Sequence, residues 1–201
     1  WIEKYLNQYL NKILGTDNKD YVLASDTDSV YITFDELVNK SFGTEKVASE
    51  NESGLETERV VGFLDRLARE KIEPFIDKSY QELADYVSAY DQKMSMKREV
   101  IADKGIWTAK KRYILNVWDN EGVKYKEPQL KIMGIEAVKS STPAPCRQKI
   151  KEGLKIIMNG DEKELNTFIQ EFRKEFMSLP PEDIAYPRSV NGLSKFADSN
   201  Q

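Results

Sequence analysis

The sequence predicts an α+β chain, with antiparallel strands backed by helices and a helical C-terminal part. Three observations carry this. Apolar residues recur at helical spacing over 1–14, 60–87 and 144–176. Short β-prone runs gather at 21–34 and 100–132. Within each cluster, turn-like stretches separate the runs, so strands and helices are largely segregated along the chain.

The elements follow in order. Trp1, Ile2, Tyr5, Leu6, Tyr9, Leu10, Ile13 and Leu14 form one helical face, and Gly15 stands where a helix C-cap belongs. Tyr21–Ala24 and Val30–Phe34 flank Ser25-Asp26-Thr27-Asp28-Ser29, which reads as a β-hairpin with carboxylates and hydroxyls at its tip. Residues 40–56 are polar and aperiodic, the pattern of a loop. Val60, Phe63, Leu64, Leu67 and Ala68 restore a helical stripe, and Phe75, Ile76, Tyr80, Leu83, Ala84 and Val87 continue it. Pro74 is expected to kink or break the helix between them.

From 95 to 133 the pattern becomes extended. Val100–Ala102, Ile106–Thr108 and Tyr113–Trp118 are strand-like, Asp119-Asn120-Glu121-Gly122 is a turn, and Val123–Ile132 returns as a strand. Ser141 or Thr142 is expected to cap the next helix, with Pro143 in its first turn and Ile150, Leu154 and Ile157 on its apolar face. Asn159-Gly160 closes it. Asp161 and Glu164 resemble a capping box for a last helix, whose Leu165, Phe168, Ile169, Phe172 and Phe176 are expected to face a core until Pro180-Pro181 ends it.

Composition narrows the chemistry. The chain of 201 residues is 40% hydrophobic and 32% charged, with 8 Phe, 10 Tyr and 3 Trp to supply a core. No apolar run reaches the roughly 18 residues of a membrane span, and no basic stretch followed by an apolar one marks a signal peptide at residue 1. The chain opens inside an amphipathic pattern without an initiating Met, as expected of a piece of something longer. With no histidine, Ser-His and Cys-His nucleophiles and His-ligated metals are excluded within it. Cys146 is the single cysteine, which excludes a disulfide framework, suits a reducing setting and reads as a bystander. Carboxylates, lysines, hydroxyls or a hard metal remain.

Charge is segregated. Residues 1–92 hold 10 Lys and Arg against 19 Asp and Glu, whereas residues 93–131 hold 10 against 5. A basic block in an acidic chain suits one face meeting a polyanion, although a solvated surface produces the same imbalance.

Asp26 and Asp28 are the candidate catalytic pair. In an extended strand, residues two apart point the same way, so both carboxylates can project together, though a turn distorts that rule. Paired carboxylates suit Mg²⁺, and two such ions about 3.5–4 Å apart stabilise attacking and leaving oxygens in phosphoryl transfer. Asp-Thr-Asp-Ser is also ordinary turn chemistry. Lys139, Ser140, Ser141 and Thr142 precede a helix, where free backbone N–H groups and hydroxyls suit a phosphate, and capping explains the hydroxyls equally well.

Leu23-Ala24-Ser25-Asp26-Thr27-Asp28-Ser29-Val30-Tyr31 resembles the Asp-Thr-Asp-Ser palm motif of family B DNA polymerases. Trp107-Thr108-Ala109-Lys110-Lys111-Arg112-Tyr113 resembles that family's Lys-Lys-Arg-Tyr primer-binding motif, and Lys97-Arg98-Glu99 its palm strand bearing an acid near the metals. Leu130–Glu136 through Lys139–Pro143 is similar to the palm-to-thumb crossing of the T-even-like phage branch. Two departures stand out. Ala24-Ser25 replaces the usual Tyr-Gly, and Lys97 stands where the phage relatives tend to carry an acid.

The resemblance implies a fragment of a DNA-directed DNA polymerase, with 1–133 the C-terminal part of the palm and 134–201 the start of the thumb. Asp28 would ligate two Mg²⁺ ions completed by residues outside this chain, Asp26 would tune the site, and Glu99 would be a peripheral ligand. Lys110, Lys111, Arg112 and Tyr113 would bind primer–template DNA, with Lys111 in the minor groove at the primer terminus. Strand alternation would send Lys111 and Tyr113 to one face and Lys110 and Arg112 to the other. The implied partners are primer–template DNA, dNTP, the preceding portion of the polymerase and a sliding clamp. The setting would be the host cytoplasm during phage replication, and the isolated chain would be inactive. Two other readings remain: a non-catalytic DNA-binding subunit of a split polymerase, and a Mg²⁺-dependent nuclease built on the hairpin.

Overall fold

The computed structural model describes residues 1–26, 28–43, 53–189 and 191–192, with the backbone alone at 53–56. Thr27, most of the loop expected over 40–56, and residues 193–201 lie outside the described residues. The chain is α+β, with helices and a three-stranded antiparallel sheet, as the sequence predicts. It forms two compact units, Trp1–Ala102 with Val117–Pro128, and Asp103–Asn116 with Gln129–Gln201.

In the first unit, α1 spans Ile2–Leu14 and ends on Gly15, whose left-handed φ of 65° costs a glycine nothing. Leu6 and Leu10 are fully buried with Tyr21, Val22, Ile72, Ile76 and Tyr80. Burying each such aliphatic side chain contributes about 1.5–3 kcal/mol. β1 (Val22–Ser25) and β2 (Val30–Ile32) form the expected hairpin, although β2 is shorter than the apolar run suggests. A helix not foreseen, α2 (Asp35–Phe42), follows at once. Asp35 and Glu36 sit in its first turn, where the helix dipole favours acids. The next helix, α3 (Ser53–Leu67), starts earlier than its apolar stripe. Both ends of the expected loop are therefore helical.

Pro74 does not break the chain. Residues Ala68–Ile72 widen into a π-helical turn in which the Glu73 N–H donates to the Ala68 carbonyl five residues back. The helix α4 (Glu73–Tyr86) continues from it with Pro74 in the first turn, where a missing N–H is tolerated.

The larger sheet has the order β3-β4-β5, with β3 Val100–Ala109, β4 Arg112–Asn120 and β5 Val123–Met133. The runs 100–102 and 106–108 are one strand. The polar break between them is accommodated by specific contacts. Asn116, itself buried, donates to Asp103 at 2.8 Å, and Lys104 donates to the Met158 carbonyl. A Cβ on Gly105 would lie 2.7 Å from the Trp107 ring and 2.9 Å from Leu115, so a side chain there would have to displace them. The expected turn at 119–122 shrinks to Glu121 and Gly122, both with positive φ (52° and 90°), as a two-residue hairpin requires. Asp119 is instead buried at the end of β4. Pro128 is tolerated because β5 is an edge strand.

In the second unit a 3-10 turn, Glu136–Val138, precedes α5 (Ala144–Asn159), α6 (Glu162–Ser178) and a short α7 (Pro181–Ile184). Ile114, Ile135, Ala137, Leu154 and Met158 form its core. The Met158 carbonyl belongs to the last turn of α5, where carbonyls lack helical partners, and Lys104 supplies one. Neither Ser141 nor Thr142 caps α5. Pro143 occupies the cap position and Thr142 is buried beside it. Asp161 does cap α6, accepting from the Glu164 N–H at 2.7 Å. The aromatic stripe of α6 is half-buried rather than core. Lys149 spans it, 5.8 Å and 5.9 Å from the Phe168 and Phe172 rings and 2.9 Å from Glu175.

Candidate functional site

The acidic tip is built on a hairpin that α1 anchors. The Asn7 carboxamide accepts from the Tyr21 and Val22 N–H groups at 2.8 Å and 3.2 Å. Asn11 pairs with both backbone groups of Lys19, accepting from its N–H at 2.9 Å and donating to its carbonyl at 2.7 Å. Thr16 meets the Tyr21 hydroxyl at 2.8 Å. The two asparagine side chains satisfy backbone groups of the segment entering β1. Sequence reading missed Asn7 and Asn11, because on an amphipathic helix they look like ordinary polar positions.

Val22 pairs with Ile32, Ala24 with Tyr31 and Ser25 with Val30, so Leu23 is an extra residue in a bulge. A bulge bends its strand and re-aims the side chains beyond it. The Asp26 N–H donates to the Ser29 carbonyl at 2.9 Å and closes the tip. Asp28 is exposed there and Asp26 is half-buried, so the two carboxylates stand in unequal environments. Ser25 donates to Glu3 at 3.2 Å. Among the described residues, no group of three or more Asp, Glu, Cys or His is placed to hold a metal. The tip offers hard oxygen donors of the right kind but too few for a complete cage.

The basic motif is half turn and half strand. Lys110 and Lys111 form the exposed two-residue loop between β3 and β4, so the expected facial alternation does not apply. Lys111 adopts φ 60°, a left-handed conformation unusual for a long side chain. Arg112 opens β4 and donates to both Glu136 oxygens, at 2.8 Å and 2.7 Å. Tyr113 is half-buried, its ring 6.4 Å from that of Trp107.

Glu136 also accepts from Lys139 at 2.9 Å. The Lys139 hydrogen bond first, then a backbone amide and the charges of Arg112 and Lys139, hold its carboxyl down at about 2 despite some desolvation. Two of the cations expected to meet DNA are therefore tied to one internal carboxylate. Sequence reading missed Glu136 as an organiser, although its spacing of three from Lys139 is a recognisable helical pairing. Ser140 and Ser141 are exposed, whereas Thr142 is buried and its N–H donates to the Lys139 carbonyl at 3.1 Å.

Residues 97–99 precede β3 and carry no strand. Lys97 pairs with Glu73 at 3.2 Å, while the half-buried Arg98 pairs with Asp65 and the buried Asp119. Burial tends to raise the Asp65 pKa, but hydrogen bonds from Arg69 and Arg98 outweigh it and hold the carboxyl below its ordinary value. Glu99 is exposed, and its carbonyl accepts from the Glu121 N–H at 2.6 Å.

An α+β chain with a carboxylate-tipped hairpin and a separate basic β-turn matches the divergent family B DNA polymerase model over residues 14–172, and the chain belongs to that family. It is 42% identical over 204 residues to the DNA-directed DNA polymerase of Escherichia phage RB69. It is 36% identical over 206 residues to the DNA-directed DNA polymerase of Enterobacteria phage T4. Each alignment covers 98% of this chain but 22% of the relative, so the chain spans a minor part of the curated relatives it matches.

Proposed function

We propose that this chain is the C-terminal palm segment and thumb base of a DNA-directed DNA polymerase that adds dNTPs to a primer 3′-end on a template. The observation that carries the reading is the hairpin tip, with Asp28 exposed and Asp26 half-buried beside it. Asp28 is the metal ligand of this segment, and Asp26 shapes the tip around it. Two Mg²⁺ ions, completed by carboxylates elsewhere in the longer protein, would neutralise triphosphate charge and promote ionisation of the primer 3′-hydroxyl. The Lys110–Lys111 loop approaches the primer, where minor-groove acceptors present in every correct pair let a donor check shape without reading sequence. Ser140 and Ser141 lie where duplex phosphates pass.

The segment alone should not extend primers, because its tip carries too few ligands for a metal cage. Its working partners are primer–template DNA, dNTP, the remainder of the polymerase and a sliding clamp, in the cytoplasm of an infected host. In the full-length polymerase, Asp28→Asn should lower the rate of nucleotide addition by roughly a thousandfold or more while keeping duplex affinity. Asp26→Asn should cost less. Equal, mild losses would reduce the hairpin to a turn, and DNA degradation without dNTP by the segment alone would favour a nuclease.

A further inference from the structure

A two-residue hairpin calls for a positive φ, which lysine adopts only at a cost, so a supporting contact from outside the loop would help to hold Lys111 there. The loop is only two residues long and contains no glycine, asparagine or aspartate to make that conformation easy. The contact comes from the residue just past β5. Gly134 has φ 66°, and a Cβ built on it would lie 2.3 Å from the Lys111 carbonyl oxygen and 3.1 Å from Arg112 Cγ. The backbone of the loop thus rests directly on Gly134, at a distance no side chain permits. Two residues further on, Glu136 grips the Arg112 guanidinium through both oxygens, and Lys139 holds Glu136 in turn.

We propose that Gly134 and Glu136 are positioning residues for Lys111: Gly134 seats the Lys111 carbonyl, and Glu136 pins the adjacent Arg112, so that the loop is presented in one fixed conformation. This rests on the reading of Lys111 as the residue that meets the primer terminus. It also gives Arg112 a different task from its neighbours. Its charge is committed to Glu136, and what it contributes to DNA binding is the shape of the loop rather than a contact.

The test is a double-mutant cycle in the full-length polymerase, reading affinity for a recessed-primer duplex alongside thermal stability. Lys111→Ala removes one charged donor and should weaken duplex binding about tenfold. Gly134→Ala should produce a similar loss by displacing the loop, and should add almost nothing once Lys111 is already alanine. Additive losses would overturn the proposal, since Gly134 would then act on binding independently of Lys111. If Gly134→Ala does not fold, Glu136→Gln carries the same cycle, with a smaller loss that must also vanish in the Lys111→Ala background. A second readout separates the two readings. In the segment labelled with ¹³C,¹⁵N-lysine, the Lys111 backbone signals should leave their left-handed values on Gly134→Ala while those of Lys104, held by the Met158 carbonyl, stay in place. Unchanged Lys111 signals would refute the positioning role. If those signals move but Lys111→Ala leaves duplex affinity intact, positioning stands and the primer-contact reading fails.

Discussion

Asp119→Asn tests whether the buried ion pair of the first unit holds it together. Asp119 is 1% exposed, its carboxylate pairs with Arg98, and the same oxygen accepts the Gly122 N–H at 2.9 Å in the β4–β5 turn. Asparagine keeps the shape and one acceptor for Gly122, so the substitution removes charge and little else. Removing one partner of a buried pair costs about 3–5 kcal/mol, because the other charge is left desolvated. Arg98 is 12% exposed and retains Asp65, which places the expected loss nearer 2–3 kcal/mol. For a chain of this size that corresponds to a fall in Tm of about 5–10 °C, read by circular dichroism at pH 7. The control is Arg69→Gln, which breaks a pair to Asp65 from a side chain 66% exposed and should barely move Tm. Equal shifts for the two variants would refute the reasoning, since burial would then not be what makes the Arg98–Asp119 pair matter.

The basic loop predicts a salt dependence: Lys110→Ala with Lys111→Ala should reduce the slope of log affinity against log salt by about 1.8, and adding Arg112→Ala should change the slope little, since Arg112 is already neutralised by Glu136. A further drop of about 0.9 with the third substitution would show that Arg112 meets phosphate directly. Glu136 predicts an acid transition. Its carboxyl is held at about 2 against an ordinary 4.5, so the stabilisation it provides is complete above pH 4.5 and is lost as pH falls through 2. Carboxyl ¹³C shifts should titrate with a midpoint near 2, and Lys139→Met should move that midpoint up more than Arg112→Met does; a midpoint at 4 or above in the unaltered chain would show that the cluster is not formed.

What could be read from the sequence was whatever local pattern decides. The hairpin of β1 and β2 was legible because apolar runs alternate around a polar tip, and α1 because its apolar stripe ends on a glycine. The failures share a different cause. The π-helical turn before Pro74 depends on how α3 joins α4, and the unbroken β3 depends on Asn116, Lys104 and Trp107 compensating for its polar centre. Thr142 looks like a cap until the tertiary structure buries it.

Lys110–Lys111 shows the limit most clearly. Two lysines between strand-like runs carry no turn signal, so local rules extend the strand through them. The Lys111 carbonyl packs on Gly134, twenty-odd positions downstream, a contact that leaves no trace in composition or spacing. The same glycine, read alone, is an ordinary end to a strand. Only when β5 is laid along β4 does its missing side chain acquire a purpose, and that purpose belongs to another residue's function. A local rule therefore assigns the basic motif its chemistry but not its geometry, and under the proposed role, a donor that tests the shape of a primer terminus, the geometry is the more demanding requirement.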